Sequence, residues 1–186
     1  KIWQNNTPRE GDCLILTKPL GVTLITNAHS IGLVSDKDYE GAINSMTTLN
    51  KYARDVLVNY NISSATDITG FGFLAHIGEM IDGKFTAVVD SKSIPILSGA
   101  REAANEFVLT KGGQRNRTFM ENKVEFQVDD FSLEEILYDP QTSGGLLVCI
   151  DEDDVEDALK ELKNNWVNAS VIGKIHKRFD KDVIIL

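Results

Sequence analysis

Along residues 36–59 apolar side chains recur every third or fourth position: Tyr39, Ile43, Met46, Leu49, Ala53, Val56 and Leu57. That period predicts one long amphipathic helix capped by Ser35 or Asp36. A second stripe, Phe73, Leu74, Ile77, Met80 and Ile81, predicts a helix that stops at Asp82-Gly83. Helices are also expected over 93–108, with Leu97, Ala100, Ala104, Phe107 and Val108 inward, and over 132–137, where Ser132 and Glu135 fit a capping box. The latter ends at Asp139-Pro140, because the residue before proline is driven out of the helical region. A last stripe, Val155, Ala158, Leu159, Leu162 and Trp166, follows Asp151-Glu152-Asp153-Asp154. Those acids suit the positive end of a helix and read as a solvated first turn rather than a metal cluster.

Short apolar runs at 13–17, 85–89 and 146–150 read as strands, and 124–128 alternates apolar with polar as a half-buried strand does. Residues 169–175 and 182–185 flank a basic turn with Lys177 and Arg178 and are expected to pair as a hairpin. Strands interspersed with helices give an α+β fold, a mixed β-sheet flanked by helices. Residues 1–12, polar and holding Pro8 and Gly11, read as a linker from an N-terminal domain; 13–186 form the α+β domain itself. The first residue is Lys1 rather than Met, which suggests a chain that starts partway through a longer protein or follows processing.

At 186 residues, 42% hydrophobic and 25% charged, the chain can bury a core without staples. Its formal charge of −9 and the lack of a basic stripe disfavour nucleic acid and anionic membrane as partners. No apolar run reaches the roughly 18 residues of a membrane span and no signal-peptide pattern is present, so a cytoplasmic location is expected. Cys13 and Cys149 lie in strand-like runs without partners at metal-binding spacing and read as inert buried thiols.

Chemistry concentrates in two stretches. Ala65-Thr66-Asp67-Ile68-Thr69-Gly70-Phe71-Gly72 puts an acid among glycines just before an apolar helix. Gly70 and Gly72 let a ligand oxygen approach the backbone, and Asp67 offers the hard oxygen that Mg²⁺ prefers. Asp67 and its threonine neighbours can equally be helix caps. Far downstream stands Asp139-Pro140-Gln141-Thr142-Ser143-Gly144-Gly145-Leu146-Leu147, whose Thr142–Gly145 portion can cradle an anion or simply turn the chain. Residues 111–117, with Lys111, Arg115 and Arg117 among glycines, read as a loop and the densest positive spot in the chain. Lys18 can reach a phosphate or be an ordinary surface lysine. His76, beside an apolar helix face, is assigned no chemistry.

Together the two long motifs resemble the C-terminal domain of selenophosphate synthetases (selenide, water dikinases), within the aminoimidazole ribonucleotide synthetase superfamily. The resemblance implies the C-terminal fold of that superfamily and, in the full-length enzyme, an ATP- and Mg²⁺-dependent conversion of selenide and water to selenophosphate, AMP and orthophosphate. It implies that Asp67 is a Mg²⁺ ligand, and Thr69, Gly70, Arg115 and Asn116 are candidates for phosphate contact. Catalytic groups, including a reactive cysteine or selenocysteine, and most of the homodimer interface are implied to reside in an N-terminal domain, so this chain alone is expected to be inactive. Two alternatives remain: another ATP-using superfamily member, or a non-enzymatic domain that binds a nucleotide or a partner.

Overall fold

The computed structural model describes residues 2–186 around a seven-stranded sheet. Its strands are β1 (Cys13–Leu16), β2 (Ile62–Asp67), β3 (Phe85–Val89), β4 (Val124–Phe126), β5 (Leu146–Ile150), β6 (Ser170–Lys177) and β7 (Val183–Ile185). In space they run β2-β5-β1-β6-β3-β7-β4, antiparallel throughout except where β7 lies parallel to β3 and β4. Every neighbouring pair joins one of β1–β4 to one of β5–β7. The helices are α1 (Val22–Ser30), α2 (Asp36–Thr47), α3 (Lys51–Leu57), α4 (Gly72–Ile81), α5 (Ala100–Asn105), α6 (Lys111–Phe119), α7 (Phe131–Tyr138) and α8 (Val155–Asn164).

Strand alternation builds two cores, one on each face of the sheet. Leu14 and Leu16 of β1 join Leu24 and Ile25 of α1, Phe73, Leu74 and Ile77 of α4, and Ile136 and Leu137 of α7. Cys13 and Ile15 point the other way, onto Ala53, Val56 and Leu57 of α3 and Ala158 and Leu162 of α8. Burial pushes the thiols of Cys13 and Cys149 up, as suits inert packing groups, and Cys149 Sγ lies 3.2 Å from Met80 Sδ. Ahead of β1 the chain lies along β2, where Ala65 N donates to Gln4 O at 3.0 Å. Among the described residues no helix is long and apolar enough to cross a membrane.

Several expectations are corrected. The helix expected over 36–59 is two helices, α2 and α3, because Ala42 packs on one face of the sheet and Ala53, Val56 and Leu57 on the other. Thr48, extended at φ −69° and ψ 123°, breaks the run so the chain can change faces. The helix expected over 93–108 shrinks to α5, since Gly99 at φ 84° precedes its first turn. The expected loop over 111–117 is helix α6, capped by Thr110, whose hydroxyl accepts from Gly113 N at 2.9 Å. Helix α7 is capped by Asp130, which accepts from Leu133 N at 2.9 Å; Ser132 sits inside the helix and instead donates to Asp130 at 2.8 Å. Trp166 leaves the α8 stripe and is 94% exposed. The expected hairpin does not form, because β3 inserts between β6 and β7.

Candidate functional site

The two motif stretches are hydrogen-bonded neighbours. β2 pairs with β5, Asp67 opposite Leu146, and the ladder continues beyond both strands: Ile68 N donates to Gly145 O at 2.9 Å and Gln141 N to Thr69 O at 3.1 Å. The approach is so close that a Cβ on Gly144 would stand 2.3 Å from Ile68 O. Asp67 ends a strand and does not cap a helix. Helix α4 starts only at Gly72, its capping position is Phe71, and no side chain caps it. The Asp67 carboxylate is therefore exposed and, among the described residues, has neither a hydrogen-bond nor an ion-pair partner.

The turn after Asp67 is held from three sides. Gly72 N donates to Thr69 O at 3.0 Å, and Gly72 adopts φ 76° with the space for a Cβ closed off by Tyr138 O at 2.9 Å. Thr69 N donates to His76 Nε2 at 3.1 Å, so that nitrogen is unprotonated and the ring proton sits on Nδ1, toward Glu79 at 3.7 Å. Burial lowers the His76 pKa, against the opposing charges of Glu79 and Asp67. Gly70 is exposed, and its carbonyl accepts from Asn116 Nδ2 at 3.1 Å. Asn116 is buried and also donates to Tyr138 O at 2.9 Å, so its amide braces the turn. Arg115 is exposed on α6, and no contact among the described residues brings it to Asp67. Arg117 is committed elsewhere, to Glu134 and Glu135 and over the Tyr138 ring.

The second motif is spent on structure. Asp139 is 1% exposed, and its Oδ2 accepts from Thr23 N at 3.0 Å and Leu24 N at 3.3 Å at the start of α1. Gln141 Oε1 accepts from Gly21 N at 3.2 Å and Val22 N at 3.3 Å. Burial pushes the Asp139 carboxyl up to about 7, although the amide hydrogen bonds oppose it. Lys18 is no surface lysine: it is buried, with Nζ donating to Thr48 O at 2.6 Å and Ser143 O at 2.8 Å, and burial lowers its pKa. The Thr142–Gly145 turn is thus clamped between strand, lysine and the Asn50 side chain, which donates to Gly144 O at 2.9 Å.

Asp67 opens onto a groove of about 450 Å³ lined by Trp3, Asn50, Lys51, Arg54, Thr66 and Asp67 among others. Lys51 and Arg54 were not legible as site residues from the sequence. Their i, i+3 spacing marks one face of α3, but only the packing of α3 beside the end of β2 shows what that face borders. Among the described residues no cluster of three or more His, Cys, Asp or Glu side chains is placed to hold a metal. A single exposed carboxylate suits Mg²⁺ when phosphate, water and other ligands complete the shell.

Residues 9–185 match the family described as AIR synthase related protein, C-terminal domain. The chain belongs to that family. Curated relatives include selenide, water dikinases of Agathobacter rectalis, 44% identical over 99% of this chain and 54% of the relative, and of Desulfitobacterium hafniense, 43% identical over 100% and 54%. The chain thus spans about half the length of the curated relatives it matches. Among solved structures, thiamine-monophosphate kinase from Stenotrophomonas maltophilia K279a superposes with TM-score 0.66 at 16% identity, covering 98% of this chain and 52% of that one. The E. coli hydrogenase maturation protein HypE gives 0.63 at 15%, covering 99% and 49%. These likenesses show that the chain shares their fold, a mixed sheet flanked by helices.

Proposed function

We propose that this chain is the C-terminal half of a selenide, water dikinase, and that Asp67 serves as a Mg²⁺ ligand in an ATP site shared with an N-terminal half. The observation that carries the reading is the Asp67 carboxylate, exposed and unpaired at the open end of β2, in a chain 44% identical to such an enzyme over 99% of its length. The reaction converts ATP, selenide and water to selenophosphate, AMP and orthophosphate. Asp67 would hold Mg²⁺, which would supply neutralisation of phosphate charge, most of what this type of transfer requires.

This chain's part is to position that ligand. The β2–β5 ladder fixes the Asp67 backbone, and His76 and Asn116 hold the Thr69-Gly70 turn beside it, where those two residues border the phosphates. Its two cysteines are buried thiols with raised pKa values and are poor nucleophiles. The reactive cysteine or selenocysteine, a lysine and further aspartates belong to the N-terminal half, with residues 1–12 as the connection and most of the homodimer contact on that side. The 186-residue chain is inactive by itself and functions in the cytoplasm as part of the longer enzyme.

The test is Asp67→Asn in the protein that carries both halves. Turnover should fall at least about 100-fold, roughly 3 kcal/mol of transition-state stabilisation. Turnover at the wild-type level would remove Asp67 from the metal site.

A further inference from the structure

β2 is an edge strand, so the sheet pairs only one side of its backbone. In an antiparallel pair, alternate residues exchange their N–H and C=O bonds with the partner strand. Thr66 stands opposite Leu147, and Ile68 N, two residues on, donates to Gly145 O at 2.9 Å. Thr66 and Ile68 therefore turn toward β5, while Ala65 and Asp67 turn their N–H and C=O groups outward. Ala65 shows this directly, since its N–H donates to Gln4 O at 3.0 Å. The outward N–H of Asp67 has no acceptor among the described residues, and its carbonyl has only a long contact from Thr66 Oγ1 at 3.4 Å.

The segment along this edge already has a direction and a register. Gln4 O accepts from Ala65 N and, at 3.2 Å, from Ser64 Oγ, while Thr7 Oγ1 donates to Ser63 O at 2.6 Å. Residue numbers rise on one side as they fall on the other, so the segment runs antiparallel to β2. Asn5 Nδ2 ties it to Glu79 at 2.7 Å, and the partly buried Trp3 packs on the core that holds Ile62 and Val148. With Gln4 opposite Ala65, the same register sets Ile2 opposite Asp67. Ile2 is 95% exposed and has no partner among the described residues, so the pairing stops one step short of Asp67.

We infer that Ile2, Trp3 and Gln4 form a positioning strand for Asp67: in the protein that carries both halves they complete the edge of β2, with Asp67 N donating to Ile2 O and Ile2 N to Asp67 O. Main-chain bonds of this kind are how an added strand binds a sheet edge. Residues 2–4 belong to the segment expected to join the two halves, so docking of the N-terminal half brings Ile2 onto Asp67 and holds that backbone from both sides. The strand itself stands on backbone geometry; its effect on Mg²⁺ rests on the reading of Asp67 given above.

Amide hydrogen exchange on the two-half protein tests the pairing residue by residue. Ile2→Pro removes the N–H that Asp67 O would receive, whereas Ile2→Ala keeps the backbone and loses only an exposed side chain. The Asp67 amide should exchange at least about tenfold faster in Ile2→Pro than in wild type, and within about twofold of wild type in Ile2→Ala. The Mg²⁺ concentration for half-maximal turnover should rise about tenfold in Ile2→Pro and stay put in Ile2→Ala. An Asp67 amide that exchanges equally fast in wild type and Ile2→Pro overturns the strand. A change in exchange with no change in Mg²⁺ requirement overturns the positioning role. Asp67→Asn keeps the two readings apart: wild-type turnover in that variant, with the amide at position 67 still protected, removes the metal role and leaves the strand.

Discussion

Asp67 and Asp139 stand in the two motifs that define this chain, yet they occupy opposite physical situations. Asp67 ends an edge strand in the open, with no partner among the described residues, while Asp139 is 1% exposed and binds the amides that begin α1. The same residue type thus does two jobs, set by surroundings alone. An acid kept free of internal partners is available to a ligand; an acid enclosed by donors ties the start of α1 to the second motif. The second motif serves the site by shaping it.

If that division is right, removing Asp67 acts on chemistry and spares the fold. Asp67→Asn should abolish most turnover in the two-half enzyme while shifting unfolding free energy by no more than about 0.5 kcal/mol, as thermal or denaturant melts would show. The reverse pattern should follow from Gly144→Ala, whose new Cβ would meet Ile68 O at 2.3 Å. A loss of about 2–3 kcal/mol in denaturant unfolding is expected, and unaltered stability would mean that the two motifs are not locked together.

Asp139 sharpens the contrast through pH. Its carboxyl is pushed from 3.8 up to about 7, so the protonated form is favoured on folding. Its stabilising contribution is full below pH 4 and is lost as pH rises through about 7. Asp139→Asn, which mimics the protonated acid, should therefore gain on the order of 2 kcal/mol relative to wild type between pH 5 and pH 8. Parallel pH dependences would show that the carboxylate is charged throughout. A smaller effect is expected from Asn116→Ala, about 1–2 kcal/mol of stability, together with faster amide exchange in the Thr69-Gly70 turn. Smallest of all, Arg115→Ala should change stability by less than about 0.5 kcal/mol. A marked rise in the KM for ATP in that variant would draw α6 into the site.

The strands with strong apolar content, β1 and β5, could be read directly from the sequence, as could α4 and α8 from their stripes. Strand β2 could not, because Ser63-Ser64-Ala65-Thr66-Asp67 has no apolar alternation; its strand state comes from pairing with β5 and not from propensity. Helix α6 was hidden for a related reason: two glycines argue for a loop, yet Gly112 lies where a Cβ would sit 2.4 Å from Pro140 Cγ, so the helix owes them to tertiary contact. The motif marks Asp67 as a candidate. Its freedom from capping, the contact between the motifs, and the nearness of Lys51 and Arg54 all depend on long-range pairing that local pattern does not carry.

The order of the strands also governs how the protein can be made. Since each of β1–β4 finds its neighbours only among β5–β7, a growing chain that has emerged as far as α7 owns no completed strand pair. Assembly must wait for the segment from β5 onward, roughly the last quarter of the polypeptide, and then thread it between segments already synthesised, a non-local route that is slow and leaves unpaired strand edges exposed meanwhile. Translation speed and chaperone supply should therefore influence the yield of this protein more than point changes on its surface do.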